Sequence, residues 1–319
     1  MAVHAFIFPG QGSQAPGMGR DLAEAFAAAR EVFQEVDDTL NQKLSKLMFE
    51  GPPEELTLTE NAQPALMAHS LAVLRVLERE GGFKLADRAV VVAGHSLGEY
   101  SALAAAGSFS IAEAAGLLRL RGQAMQQAVP AGEGAMAALL GCDIDLARDI
   151  CAAAGPNPEG KTEVIDVAND NGGGQVVVSG AKDAVARACL IAKEKGVKRA
   201  MMLPVSAPFH CRLMAPAADA MAEALERTMP RAPAVPLIGN VRAAKVSDPA
   251  GIMRGLVEQV TATVRWRECT AAMTALGVDS FIELGAGKVL TGIAKRLSPD
   301  ANAAAAGTPA DIEALLKTF

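Results

Sequence analysis

A serine set between two glycines, in the run Gly94-His95-Ser96-Leu97-Gly98, is the residue whose neighbours best suit a nucleophile. Flanking glycines let a strand turn sharply into a helix, lifting the hydroxyl out of the sheet. They also set it beside free helix N–H groups that favour an oxyanion. A neutral hydroxyl needs a base, and histidine accepts protons near neutral pH. The chain holds four: His4, His69, His95 and His210. His4 opens an apolar stretch and His69 falls in a segment with helical apolar spacing, so both suit packing. His95 directly precedes the serine, and its side chain is expected to point away. His210 remains, in the loop Ser206-Ala207-Pro208-Phe209-His210. Since no acidic residue stands out to orient it, a carbonyl oxygen could fix its tautomer instead.

These residues require strands that end at one sheet edge. Five apolar residues precede the serine turn, and a helical segment at 97–106, closed by Gly107, follows it. Residues 3–8 read as a buried parallel strand ending in the loop Pro9-Gly10-Gln11-Gly12-Ser13-Gln14. Ligands of open α/β sheets bind at such edges, so Gln11 could donate a side-chain or backbone N–H to a reacting carbonyl. The loop also fits the loose dinucleotide fingerprint G-x-G-x-x-A, which we reject because Pro16-Gly17 interrupts the helix it needs. Helical signals follow at 18–40, 61–79 and 111–128, the last with Ser110 as N-cap and carrying Arg119 and Arg121.

Residues 132–204 have a rhythm of their own. Strands at 134–140, 163–168, 175–179 and 197–205 alternate with helices at 144–154 and 183–195, with 169–174 as a hairpin turn. That order, β-α-β-β-α-β, is the ferredoxin-like unit. The expected fold is therefore α/β: a large α/β-hydrolase-like domain with a parallel sheet, from residues 1–131 and 205–319, interrupted by a small subdomain at 132–204. The large domain resumes with helices at 214–227, 250–260, 266–276 and 289–297 and strands at 235–238 and 280–284. Residues 299–309 read as a loose Ala-rich connection to a short final helix. Gly287-Lys288 lacks the glycine spacing and following hydroxyl of a P-loop.

Composition narrows the function classes. One Tyr, one Trp and a net charge of −6 argue against nucleic acid as the main partner. Cys142, Cys151, Cys189, Cys211 and Cys269 are scattered and odd in number, which fits reduced thiols. With neither a signal-like start nor a membrane-length apolar run, a cytoplasmic protein without membrane association is expected.

Taken in order along nearly the whole chain, five motifs resemble one family: Pro9-Gly10-Gln11-Gly12-Ser13-Gln14, Gly94-His95-Ser96-Leu97-Gly98-Glu99-Tyr100, Arg121-Gly122-Gln123-Ala124-Met125-Gln126, Phe209-His210 and Gly285-Ala286-Gly287-Lys288-Val289-Leu290. The chain is similar to the malonyl-CoA:acyl carrier protein transacylases. The resemblance implies Ser96 as acylated nucleophile, His210 as general base, and the Gln259 main-chain carbonyl as its orienter. It implies Gln11 and Leu97 as oxyanion N–H donors and Arg121 as clamp for the malonyl carboxylate, with Phe209 and His95 beside the acyl pocket. Arg119 lies about 200° around the helix from Arg121 at 3.6 residues per turn, and is read as solvated. The implied reaction is ping-pong transfer of malonyl from malonyl-CoA to the phosphopantetheine thiol of acyl carrier protein. CoA is then a substrate, and neither a retained cofactor nor a metal is expected. Carrier docking would need local positive charge, for which Lys193, Lys195, Lys198, Arg199, Lys288, Lys295 and Arg296 are candidates. A polyketide pathway would use the same chemistry. A serine esterase or thioesterase would use the same elbow, but a buried Arg121 argues against an uncharged acyl group.

Overall fold

The computed structural model describes residues 2–319 and contains two sheets. The larger is built from β1 (His4–Phe8), β2 (Ala89–Gly94), and, after a long excursion, further strands that return to it. That excursion holds β3 (Gly134–Leu140), β4 (Ile165–Gly172), β5 (Gln175–Ala181) and β6 (Arg199–Met202), which form the smaller sheet. The chain then returns through β7 (Leu237–Gly239), β8 (Ala244–Val246), β9 (Ser280–Leu284) and β10 (Asn302–Ala306). The large sheet runs β10-β9-β1-β2-β7-β8, parallel throughout except for the antiparallel edge strand β8.

Near-continuous apolar strands suit this sheet because both faces are covered. Alternate side chains of β1 go to opposite faces. Phe6 and Phe8 join the core formed with the helices Ala27–Leu40, Thr59–Gly81 and Ile111–Gln127. Ala5 and Ile7 face Trp266, Met273 and Ile293 from the helices Trp266–Ala275 and Val289–Leu297. All of β1 from Ala5 to Phe8 is buried, so its carboxyl end is held in place by packing on both sides.

The smaller sheet runs β4-β5-β3-β6, with antiparallel neighbours, and carries the helices Ile144–Ala154 and Lys182–Glu194 on one face. This is the ferredoxin-like βαββαβ arrangement. One face (Ala137, Leu139, Val176, Val178) packs under those helices. The other (Met136, Ala138, Val177) joins the main core. The small sheet is thus half of a wall shared with the large one, which brings β4 and the 205–211 segment to the serine turn.

Several elements depart from the sequence reading. Residues 169–172 are strand rather than turn. Asn169 bridges to Val264, and the Asp170 N–H donates to the Val264 carbonyl at 2.9 Å, so a tertiary partner holds these polar residues extended. The turn itself is left to Gly173 and Gly174, at φ 60° and 75°. Only Arg199–Met202 of the segment 197–205 pairs as strand. Residues 302–306 are not a loose connection. They pair in parallel with β9 along their whole length, a partnership that alanine's weak strand preference does not advertise. The edge strand β8 had no distinct signal. The helical stretch 18–40 breaks at Phe26, whose φ and ψ of −128° and 127° are extended. Among the described residues no helix is long and apolar enough to cross a membrane.

Candidate active site

Strand β2 delivers Gly94 to the carboxyl edge of the sheet, and the chain turns within four residues into the helix Gly98–Ala105. The approach is too close for side chains at its two glycines. A Cβ on Gly94 would overlap the Gly98 carbonyl, and one on Gly98 would overlap the Phe8 carbonyl at the end of β1. Ser96 itself takes φ 55°, a left-handed conformation that costs a non-glycine residue about 1–2 kcal/mol. Three contacts hold it there. The His95 N–H donates to the Phe8 carbonyl (3.0 Å), the Ser96 N–H donates to Asn240 Oδ1 (2.8 Å), and Asn240 Nδ2 donates to the Gly94 carbonyl (2.8 Å).

His210 is brought to this turn by the loop that follows β6, also in a left-handed conformation (φ 57°). Its Nε2 lies 2.7 Å from Ser96 Oγ and its Nδ1 lies 2.8 Å from the Gln259 carbonyl. Because a carbonyl can only accept, Nδ1 carries the proton and Nε2 presents a lone pair to the serine hydroxyl. Burial, and then the positive charge of Arg121, push the His210 pKa down to about 3, so the ring is neutral at working pH.

Arg121 projects inward from the helix Ile111–Gln127, which a Ser110/Glu113 capping box starts. Its side chain is 1% exposed, yet no carboxylate lies within ion-pair distance among the described residues. Neutral amides hold it instead: Gln63 Oε1 at 2.7 Å and Gln259 Oε1 at 2.8 Å, with Ser96 Oγ at 3.3 Å from the same Nη2. A buried guanidinium held by dipoles alone, its Nε without a partner, is a fixed positive charge beside the hydroxyl.

Gln11 sits in the loop after β1, where its Oε1 accepts from Thr59 Oγ1 (2.9 Å) and joins a chain through Gln63 to Arg121. The neighbouring Gly10 packs against the serine turn, where a Cβ would lie 2.8 Å from the His95 carbonyl oxygen. Neither the Gln11 nor the Leu97 amide donates to a protein group among the described residues. Phe209 is buried beside His210. His95 turns away from the serine. Its Nε2 meets Asn171 Oδ1 of β4 at 2.9 Å, and its ring packs 5.6 Å from Trp266. Arg119 is not on a solvated face: it is half-buried and donates to Gln42 Oε1, because the neighbouring helix Ala27–Leu40 ends over it. The basic residues singled out for docking, Lys193, Lys195, Lys198, Arg199, Lys288, Lys295 and Arg296, are all exposed.

Four further polar residues complete the site. Gln259 contributes its side chain as well as its carbonyl, since its Nε2 donates to Glu99 Oε2 (2.6 Å), Ser96 O (3.1 Å) and Asn240 Oδ1 (3.2 Å). Glu99, Asn240 and Gln63 are each at most 2% exposed, and Thr59 is fully buried. Glu99 stands in the serine motif itself and could have been noticed there. Nothing around Asn240 or Gln63 in the sequence distinguishes them from ordinary polar residues.

The arrangement is a serine hydroxyl against a neutral, oriented imidazole, with two uncommitted amides at the turn and a fixed cation. It suits acyl transfer from an ester-like carbonyl whose acyl group carries a negative charge. Comparison with known proteins agrees with that chemistry. Residues 5–308 match the model of the acyl transferase domain family. The malonyl CoA-acyl carrier protein transacylase of Bacillus subtilis is 45% identical over 319 residues, which cover 100% of this chain and 98% of that protein. The crystal structure of an acyl-carrier-protein S-malonyltransferase from Bartonella henselae superposes with a TM-score of 0.95 at 54% identity, over 99% of both chains. A malonyl-transacylase solved in complex with its type II PKS acyl-carrier protein gives 0.94 at 40% identity, over 100% of both. The chain belongs to the acyl transferase domain family and groups there with the malonyl CoA-acyl carrier protein transacylases.

Proposed function

We propose that this chain transfers malonyl from malonyl-CoA to the phosphopantetheine thiol of acyl carrier protein, supplying malonyl units for fatty acid synthesis. The observation that carries the reading is Ser96 Oγ lying between His210 Nε2 at 2.7 Å and Arg121 Nη2 at 3.3 Å. A nucleophile, its base and a counter-charge for the malonyl carboxylate thus meet at one atom.

In the first half-reaction Ser96 Oγ attacks the thioester carbonyl while its proton passes to His210 Nε2. Gln11 and Leu97 supply the amides for the oxyanion, each such donor being worth roughly a hundredfold to a thousandfold in rate. The carbon–sulfur bond breaks, CoA sulfur takes the proton from His210, and malonyl remains on the serine. The second half mirrors the first, with the pantetheine thiol attacking the ester and Ser96 recovering its proton. The Gln259 carbonyl keeps the imidazole in one tautomer and stabilises the imidazolium formed in each half. A guanidinium fork binds a carboxylate bidentately, which suits Arg121 to the malonyl end. A seated carboxylate also offsets the Arg121 field that helps to depress His210, so the base is strongest when the charged acyl group is bound.

Every proton and charge in these steps has a protein or substrate group, so the scheme uses CoA only as leaving group and no retained cofactor. The five cysteines, all free, fit a reducing cytoplasm. Phe209, in this scheme, narrows the acyl pocket against methyl-branched groups, and a Phe209→Ser variant with unchanged acyl preference would count against that role. For carrier docking, charge reversal at Lys198 and Arg199 is expected to lower kcat/KM for carrier protein alone. A buried Arg121 disfavours the thioesterase alternative, because an uncharged acyl group would bring nothing to pair with the guanidinium in the acyl pocket.

The test is incubation with radiolabelled malonyl-CoA, trapping of the adduct, comparison with Ser96→Ala, and chase with carrier protein bearing its pantetheine arm. Label on Ser96 that moves to the carrier supports transfer. Label that only hydrolyses supports the thioesterase, and absence of label refutes malonyl transfer, leaving a binding role or a different acyl group. Equal rates with a polyketide carrier and a fatty-acid carrier would remove the pathway assignment.

A further inference from the structure

Arg121 reaches no carboxylate directly, but it reaches one through a single amide. Its Nη2 donates to Gln259 Oε1 at 2.8 Å, and Gln259 Nε2 donates to Glu99 Oε2 at 2.6 Å. The Asn240 N–H donates to that same oxygen at 3.2 Å. Hydrogen bonds through an amide polarise one another, so the Gln259 dipole is aligned between a cation and an anion. Glu99 also lines a cavity of 190 Å³ between β7, β8 and the helix Pro249–Gln259, large enough to admit water and hence protons. The serine, its base and the cation do not line that cavity.

We propose that Glu99 is the counter-charge of Arg121 in the unloaded enzyme and is exchanged for the substrate's own carboxylate, Glu99 taking up a proton through the cavity when malonyl is seated. This rests on the transferase reading above. With malonyl absent, an ionised Glu99 balances the buried guanidinium. With malonyl bound, Arg121 is already paired, and a second buried carboxylate nearby is disfavoured. Malonylation of Ser96 releases no net proton of its own, because the serine proton leaves on CoA sulfur. Any uptake beyond the ionisation of free CoA therefore belongs to the protein.

The charged and titratable groups that face Glu99 come from each element around it. They are Arg121, Tyr100 on its own helix, Cys269 from the helix Trp266–Ala275, and Arg242, Lys245, Asp248 and Arg254 around the cavity. His210 also feels Arg121 and is the rival site for the proton. Burial raises the Glu99 carboxyl to about 7, against the lowering pull of Gln259, Asn240 and Arg121, so it can exchange near neutrality. Cys269 and Tyr100 are pushed far above that range by burial and stay neutral.

The experiment measures the equilibrium constant for loading Ser96 from labelled malonyl-CoA between pH 6 and 8.5, for the native chain and for Glu99→Gln, which keeps an oxygen acceptor but cannot ionise. Their ratio cancels the ionisation of free CoA. It is expected to fall severalfold as pH rises through 7, towards the ceiling of about tenfold per pH unit for one proton. An indicator dye on the native chain gives an independent reading that survives misfolding of the variant: malonyl loading takes up more proton than acetyl loading, since acetyl carries no carboxylate. A pH-independent ratio, or equal uptake with the two acyl groups, overturns the proposal. So does uptake that persists in Glu99→Gln, which would assign the proton to His210. Absence of malonyl-Ser96 at every pH overturns the transfer reading itself.

Discussion

Replacing Arg121 with Met removes the charge and nearly keeps the length, so it isolates what the guanidinium contributes. In the native site the fork is fully desolvated and donates to two amide oxygens at 2.7 and 2.8 Å, so little reorganisation is needed to donate to a carboxylate instead. Truncating one partner of a buried, hydrogen-bonded charge pair costs about 2–5 kcal/mol, which corresponds to roughly a 30- to 4,000-fold loss in kcat/KM for malonyl-CoA. Acetyl-CoA never makes that pair. For it the variant removes a cation that pairs with no group of that substrate and that lowers His210, so its kcat/KM should hold or rise. The assay is steady-state transfer to carrier protein with both thioesters. Arg121→Lys serves as a control that retains charge but not the bidentate fork. Met also leaves Gln63 Oε1 and Gln259 Oε1 without a donor, at about 1–3 kcal/mol each, so thermal unfolding must accompany the kinetics. Equal losses for malonyl and acetyl substrates would refute the clamp and leave Arg121 a purely structural role. A malonyl loss below tenfold would refute the magnitude argued from its burial.

Other expectations follow from the same network. Glu99 has a folded-state pKa raised from 4.5 to about 7, so its contribution to stability is fully present below the unfolded pKa and is lost as pH rises through the folded one. Glu99→Gln should therefore stabilise the fold above pH 7 relative to the native chain, by on the order of 3 kcal/mol and visible as a higher melting temperature, and make little difference near pH 4. An unchanged gap between the two melting curves across that window would count against the assignment. Asn240→Ala strips the Ser96 N–H and the Gly94 carbonyl of their partner, and kcat is expected to fall about tenfold or more with little change in KM. A rise in KM with kcat intact would place Asn240 in substrate binding instead. Gly98→Ala forces a Cβ into the Phe8 carbonyl, a backbone atom that cannot rotate aside, so loss of Ser96 labelling is expected, and full labelling would show that the elbow can relax.

The chemistry of the site was legible in local sequence because its most specialised parts are local. The elbow needs glycines at fixed offsets from Ser96, and eliminating three of four histidines left His210 as the remaining base candidate. The βαββαβ order of 134–202 was likewise legible, since hydrophobic period and turn residues repeat within short windows. Where the reading of elements failed, a distant partner had overridden local preference. Asn169-Asp170-Asn171 is turn chemistry until Val264 supplies a strand edge, and the alanines of β10 are featureless until β9 lies beside them.

Residue types and spacing alone thus determined that a strained serine would stand at a sheet edge in an α/β chain, and that His210 was the histidine free to serve it. The tertiary structure alone decided which polar groups meet there. Arg121 on one helix, Gln259 at the end of another, Glu99 below the elbow and Asn240 after β7 are up to 160 positions apart. They converge because the apolar faces of β1, β2 and their helices bury one another, and burial then obliges each polar group carried inward to find a partner across the core. Contacts of that kind depend on which faces pack together, and no window of sequence contains them.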